Sequence, residues 1–541
     1  MTNFVRKIKT LQEVLPDLIS GILVFLIALP LCLGISIASG FPPVAGIYTA
    51  IIGGLVVSLF KSAHLTIKGP AAGLIVVAYG AVEELGRGDL AAGYPYALAC
   101  IVLAGVLQVI FGLTKAGIVG DLFPSSVVHG MLSSIGIIIL VRQFFPMLGY
   151  FPKAENFWGL IIEIPHAIRN THPLAGFIGL FALFLLLVLS PLKNKYIKQI
   201  PAPIMAIVPA IFLSEFFQLG SRQPISIGEW TIYGGPEFLV RVPDNINNGI
   251  KFPDFSMIYS LSSLKYILMF AMIGSLETLI CTKAVDMMDP WKRKSNLSRD
   301  LTGVGTGNIL SGMIGGLPMI SEIVRSSSNI SYGGRTWRSN FFHGLFLLIF
   351  LGFFPNLIKK IPLSALGGLL VFTGFKLANP KQLYHTWKVG HDQLIVYLST
   401  IILTLSTDLL IGIGGGLLIK IIIHFMNGLS PKDIFKPYIS IYRDTEKNRY
   451  WIDVGRSAVF TNLIAMKRTL KAIPSGAELI LDFSNCKLLD HAVIQNLEEF
   501  RYEYEAQGGV CKIDGLDTME GISAHPQATR RRKKEVRKRK N

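Results

Sequence analysis

A bundle of transmembrane helices followed by a small α/β domain is the fold class predicted by three features of the sequence. Of the 541 residues 51% are hydrophobic and only 16% are charged, too few charges for the water-facing surface of a soluble protein of this length. Fourteen apolar runs precede residue 428, and a helix needs about 20 mostly apolar residues to cross hydrocarbon, where backbone groups find partners only within the helix. Beyond residue 435 the pattern changes to short β-rich stretches alternating with segments of helical period.

The first run, 17–37, follows Arg6, Lys7 and Lys9 in the manner of a secretory leader, but it continues past Pro30 and further runs follow. A first span is therefore expected, not a cleaved peptide. The remaining runs are 44–60, 69–84, 94–113, 122–141, 173–191, 203–217, 264–284, 301–314, 317–330, 340–358, 363–377, 392–408 and 410–427. The third and tenth are short and open on Gly69-Pro70 and Leu317-Pro318. Proline suits the first turn of a helix, where its missing N–H would have no partner anyway, so each run predicts a half-helix starting inside the membrane.

Pro70 and Pro318 are 248 residues apart, and adding 248 to Asp17 at the head of the first run lands on Lys265 at the head of the eighth. This spacing predicts an internal duplication of seven segments. Broken segments at matching positions of two halves point to the binding site of a secondary transporter, where two half-helix N-termini face one anion near the midplane. The polar stretch Ser221–Asp254 predicts an extramembrane loop. An even number of spans, with basic residues at the N-terminus, at Lys292, Arg293 and Lys294 and at the C-terminus, places both termini in the cytoplasm.

In the soluble part, Tyr450–Val454, Glu478–Phe483 and Val510–Ile513 predict strands, and Ala458–Ile473 and Ala492–Ala506 predict helices. The resulting division is 1–434 for the membrane domain, 435–520 for the α/β domain and 521–541 for a disordered basic tail. Residues 530–541 alone hold nine Lys or Arg against one Glu, close to half of the net charge of +17. Such a tail is either attracted to anionic lipid headgroups or simply solvated; without interleaved aromatics it does not suggest nucleic-acid binding. Cys32, Cys100, Cys281, Cys486 and Cys511 show no CxxC spacing, so neither a disulfide framework nor a zinc site is implied. No metal, nucleophile or phosphate-loop constellation suggests an enzyme, and no cofactor is expected.

Four places carry candidate chemistry. Glu277 lies in the middle of the eighth run, where a carboxylate is costly and is retained when it faces a cavity, couples an ion or bonds between helices. In GGLPMISEIVRSSSN, Pro318, Met319, Ile320, Ser321, Glu322, Arg325 and Ser326 fall within the first turns of the predicted tenth segment. Free backbone N–H groups, the hydroxyls of Ser321 and Ser326 and the Arg325 guanidinium make an oxyanion site, with Glu322 three residues from Arg325 and able to pair with it. Gly69, Pro70, Ala71 and Ala72 offer close backbone approach instead of side-chain chemistry. Lys68, just before them, adds positive potential or snorkels to water.

The motifs PDLISGILVFLIALP, GFPPVAGIYTA, KGPAAGL, GSLETL, GNILSGMIGGLP and R-x-x-x-N-x-x-x-G-x-R-T from Arg325 to Thr336 resemble those of the SulP family of sulfate permease-like anion transporters. The likeness extends from about Leu15 to about Leu516. It implies fourteen segments in two inverted repeats of seven, a core domain moving as an elevator against a gate domain, a homodimer in the inner cell membrane, and an anion held between the third and tenth helices. The C-terminal part resembles a STAS domain. In the loop where related regulatory domains carry a phosphorylatable serine after the aspartate, this chain has Asp490-His491-Ala492, which disfavours a phospho-switch.

Three departures bear on the substrate. Leu31 and Ile35 stand where many members have glutamine and an aromatic residue, Ala71 where some have phenylalanine, and Ser321-Glu322 where a small pair is usual. The expected function is transport of sulfate or bicarbonate coupled to H⁺ or Na⁺, the amides of Ala71, Ala72, Met319, Ile320 and Ser321 holding the anion. The resemblance assigns coupling to Glu277, with Glu322 as a second acid there. Glu277 and Thr278 are the expected neighbours of a coupling Na⁺, and no other metal is anticipated. An anion channel, or a membrane sensor working through the terminal domain, are the competing expectations.

Overall fold

The structure, a computed structural model, describes residues 2–115, 123–154, 156–189, 201–222, 224–227, 230–243, 249–407, 409–446 and 448–532; for 2–13, 224–227, 230–232 and 287 it describes the backbone alone. Each of the fourteen apolar runs carries a helix. The helices of the first half are α1 (Thr2–Ala38), α2 (Val44–Leu55), α3 (Ile75–Leu85), α4 (Leu90–Leu113), α5 (Ser125–Met147), α6 (Phe157–Arg169), α7 (Pro173–Leu189) and α8 (Ala202–Phe216). Those of the second half are α9 (Leu261–Met288), α10 (Leu297–Met313), α11 (Ile323–Ser331), α12 (Arg338–Phe353), α13 (Pro355–Ile358), α14 (Leu363–Leu377), α15 (Pro380–Val389), α16 (His391–Ser406) and α17 (Leu409–Met426). Helices α6 and α15 lie outside the apolar runs.

Capping residues set several of these starts. Asp89 accepts from the N–H groups of Ala91 and Ala92 at the head of α4, Ser260 from Ser263 at α9, and Asn296 from Arg299 at α10. Among the described residues five helices are long and apolar enough to cross a membrane, or six if α6 and α7, bent by 113° at their junction, count as one broken span. Large apolar side chains face outward along several helices: Ile162 is 79% exposed and Phe212 68%. Water would penalise this arrangement and lipid does not.

The chain divides into two compact units, one of residues 1–117 and 135–378, the other of 118–134 and 379–541. In the first, α1, α2, α7, α8, α12 and α14 share a core that includes Phe25, Ile47, Ile178, Leu347 and Leu366. Two short strands cross it, β1 (Ile67–Pro70) before α3 and, after the hairpin β2 (Pro224–Ile227) and β3 (Trp230–Tyr233), β4 (Met319–Glu322) before α11. Strands β1 and β4 pair with each other, antiparallel.

The second unit holds α15, α16 and α17 and a seven-stranded sheet. Its strands are β5 (Tyr438–Asp444), β6 (Arg449–Ala458), β7 (Glu478–Asp482), β8 (Cys486–Leu489), β9 (Val510–Asp514), β10 (Met519–Gly521) and β11 (Arg530–Arg532). They lie in the order β10-β11-β8-β6-β7-β9, with β5 on β6; β6 is parallel to β7 and β8, and β7 to β9. Helices α18 (Leu463–Lys471) and α19 (His491–Ala506) supply Met466, Leu470, Val493 and Leu497 to its core, against Val454, Leu479 and Leu481.

One expectation needs correcting here. Residues 521–532, assigned to a disordered tail on their charge, are ordered: β11 lies between β10 and β8, and Thr529 is fully buried. Backbone pairing outweighs the basic composition there: Arg531 and Arg532 are exposed, the Arg530 guanidinium donates to Leu516 O and Pro526 O, and the main chain of all three completes the sheet. Residues 533–541 lie outside the described residues.

Candidate anion-binding site

The two broken segments meet end to end. Pro70 opposes Met319, Gly69 opposes Ile320, Lys68 opposes Ser321 and Ile67 opposes Glu322. One step further the Ala71 N–H donates to Pro318 O at 3.0 Å. This corrects the expectation that Pro70 and Pro318 open helical turns. Both sit in extended chain, with α3 preceded by a 3-10 turn at Ala72–Leu74 and α11 beginning only at Ile323. The reason is mutual. Each strand supplies the partners that the other, buried and out of reach of water, would otherwise lack.

Polar side chains from neighbouring helices complete this ledge. Asn308 on α10 accepts from Met319 N–H at 2.5 Å and donates to Met319 O at 3.1 Å and to Gln108 at 2.7 Å. Thr49 on α2 accepts from Leu317 N–H at 2.7 Å. Ser326 accepts from Ile67 N–H at 2.9 Å and donates to Glu322 O at 2.5 Å. The Met319 amide and the Ser326 hydroxyl, both anticipated as anion donors, are thus engaged within the protein.

Ser321 is engaged too, on the other side of the strand. Its hydroxyl lies 2.5 Å from Lys68 Nζ and 3.1 Å from Asp300 Oδ2. Lys68 and Asp300 form a bidentate ion pair at 2.7 and 2.9 Å, to which Ser62 and Thr282 donate at 2.6 and 2.8 Å. All these groups are buried. Lys68 therefore neither snorkels nor offers a free charge.

Strand alternation turns Glu322 away from that cluster. Its Oε1 accepts from Ala72 N–H at a long 3.4 Å, and its Oε2 lies 4.0 Å from Arg325 Nε. Arg325 is fully buried, and none of its three guanidinium nitrogens has a hydrogen-bond acceptor among the described residues. Its Nη1 rests against Gly69, where a Cβ would collide with it. Cys32 on α1 and His343 on α12 lie within its field.

Glu277 projects from α9 toward Gly73. It is 5% exposed, and among the described residues neither carboxylate oxygen has a hydrogen-bond partner, nor has the Thr278 hydroxyl beside it. Gly73 leaves the room this carboxylate occupies; a Cβ there would overlap it. Glu277 and Glu322 are near enough to act on each other electrostatically. Gly69, Pro70, Ala71, Ala72, Ile320, Glu322, Arg325 and Glu277 thus converge on one place. A buried cation without an acceptor among the described residues and two buried carboxylates lie against this stretch of backbone, an arrangement that can hold a small anion next to a proton or a small cation.

The second unit carries its own polar cluster, which the sequence did not reveal. Lys420 on α17, fully buried, lies 2.8 Å from Asp490 Oδ1 at the head of α19, and His424 Nε2 lies 3.3 Å from the same oxygen. Burial alone would raise the Asp490 carboxyl; Lys420 and His424 close beside it outweigh burial and hold it well below the usual carboxylate range. Lys420 also donates to Gln393 at 3.0 Å, and Thr529 donates to Asp392 at 2.8 Å and accepts from His491 N–H at 3.3 Å. Burial pushes the His491 ring below its ordinary value. The sheet is in this way tied to α16 and α17 through side chains that lack access to water.

Comparison with known proteins agrees with the fold. The family model described as the sulfate permease family matches residues 14–400. The chain is 27% identical over 414 residues to the putative sulfate transporter YvdB of Bacillus subtilis, covering 76% of this chain and 74% of that one. It is similar to the solved transmembrane domain of a cyanobacterial bicarbonate transporter, BicA, with a TM-score of 0.63 and 25% identity over 74% of this chain and 98% of that one. The fold of the murine Solute Carrier 26 family member A9 anion transporter matches with a TM-score of 0.65 at 14% identity, over 93% of this chain and 85% of that one.

Proposed function

We propose, from the premise that the chain belongs to the sulfate permease family, that it is a secondary active transporter moving sulfate or bicarbonate across the cell membrane. The observation that carries this reading is Arg325, a fully buried guanidinium without an acceptor among the described residues, beside the paired starts of the third and tenth segments. A buried cation is stable only when a counter-charge is near. Glu322 at 4.0 Å supplies this incompletely, and a small anion would complete it.

Glu277 and Thr278 are assigned the coupling ion, H⁺ or Na⁺. Their side-chain oxygens are buried without hydrogen-bond partners among the described residues, and a carboxylate in that condition favours whichever cation can neutralise it. Bicarbonate is kept level with sulfate because Leu31, Ile35 and Ala71 provide no aromatic clamp and two acids suit a monovalent ion. The further parts of the reading are an elevator motion, a homodimer, both termini in the cytoplasm, and a soluble STAS-like domain from about residue 435.

Uptake of labelled sulfate and bicarbonate into proteoliposomes, under imposed proton and sodium gradients, tests the reading. Saturable uptake that follows one gradient, and that Glu277→Gln uncouples from it, is expected. Absence of uptake of either anion by folded protein would overturn it, and an ohmic current indifferent to Glu277→Gln would favour a channel instead.

A further inference from the structure

We propose that the Glu322 carboxylate is a tethered occupant of the anion position, which an incoming anion displaces as Glu322 takes up a proton. The proposal rests on the reading above and names how the same site is regulated. Glu322 Oε1 is on the Ala72 N–H and Oε2 faces Arg325, so the protein's own carboxylate touches the two donors that a bound anion would use. It does so loosely, at 3.4 and 4.0 Å, both longer than a charge-assisted hydrogen bond. A permanent structural counter-ion of Arg325 would be expected to form the bidentate pair that Lys68 and Asp300 form a few residues away.

The charges decide the rest. Lys68 and Asp300 cancel each other, leaving Arg325 against Glu322 and Glu277. Cys32 from α1 and Cys281 from α9 lie within the field of Glu322, and His343 from α12 within that of Arg325. With Glu322 and Glu277 both ionised, an added anion would be a third negative charge against one positive in a buried site, which Coulomb repulsion disfavours. If a proton from bulk water binds Glu322 as the anion enters, the total charge is unchanged for a monovalent anion. The neutral carboxyl leaves the Ala72 N–H, and the anion takes its place. No bond other than the O–H forms or breaks.

Chloride, nitrate and sulfate remain ionised across the useful pH range and serve as probes. Their effect on thermal unfolding of the purified full chain, in a gluconate buffer, reads binding. For the wild type, apparent affinity for the best of the three is expected to fall at least about fivefold between about pH 5.5 and about pH 8, because one proton binds with the anion. Glu322→Gln should bind that anion more tightly at the higher pH and without pH dependence, and Glu322→Ala should behave alike if the glutamine variant unfolds.

A pH dependence that survives in both variants, or that vanishes in Glu277→Gln instead, would overturn the proposal. So would variants that bind no more tightly than the wild type, or failure of all three anions to stabilise a wild type that transports normally. The earlier reading fails separately, through absence of uptake in proteoliposomes.

Discussion

Lys68 and Asp300, 232 positions apart in the chain, close on each other at 2.7 Å with their side chains 3% and 0% exposed. Removing one partner of a buried pair leaves the other charge uncompensated, at a cost of about 3–5 kcal/mol, whereas replacing both with apolar groups is often tolerated. Lys68→Met and Asp300→Leu should each lower the melting temperature of the detergent-purified protein markedly, and the double variant should regain most of the loss. Additive losses in the double variant would mean that the two residues act separately.

Arg325 is expected to tolerate little change. A charge-assisted hydrogen bond contributes about 1.5–3 kcal/mol, so Arg325→Gln should reduce anion uptake by about 10- to 100-fold while the protein remains folded. Arg325→Lys keeps the charge but loses the planar fork that rests on Gly69, and should recover only part of the flux. Uptake measured against surface-normalised expression decides the matter.

Gly73→Ala places a methyl where the Glu277 carboxylate now lies. Overpacking of this kind costs about 1–3 kcal/mol and should displace the carboxylate, abolishing gradient-driven uptake. Shortening the acid relieves the clash, so Gly73→Ala with Glu277→Asp should transport better than Gly73→Ala alone. If it does not, Gly73 serves some purpose other than making room.

Acid should loosen the α/β domain in two stages. The His491 ring titrates lower when folded than unfolded, so its neutral form is secure above its unfolded value of about 6.5 and stability falls as pH drops below that. Asp490, held low by Lys420 and His424 against its burial, contributes fully above its unfolded value of about 3.9, and that contribution is lost on further acidification. Thermal melts between about pH 3 and about pH 7.5 should show both limbs, with His491→Gln removing the upper and Asp490→Asn the lower.

The broken segments were legible in the sequence because proline constrains its own position wherever it stands, and Pro70 and Pro318 recur at a fixed spacing. That the residues around them are extended was not legible. Four-residue strands buried in apolar runs carry no alternation, and β1 and β4 find each other only across some 250 positions. Asp300 gives no sign of its role for a different reason: in SNLSRDLTG it resembles any acid in a first helical turn, and its partner Lys68 has the pattern of a snorkelling cation. Asn308 and Gln108 gave no signal, being single amides whose purpose is to satisfy the ledge.

Helices α6 and α15 escaped notice because both are short and amphipathic, with polar faces that interrupt any apolar run. Strand β11 escaped because composition speaks for side chains, and there the backbone decides. The Glu322–Arg325 spacing was legible but its meaning was not. Glu322 lies before the helix begins, so its carboxylate reaches across to Ala72.

Strands β1 and β4 share main-chain hydrogen bonds in a place where separated amides would find neither water nor another chain. Pulling them apart would cost several kcal/mol for every bond exposed. In the proposed transporter, the floor beneath the anion would therefore travel whole, and any displacement of the pocket would have to open at other contacts.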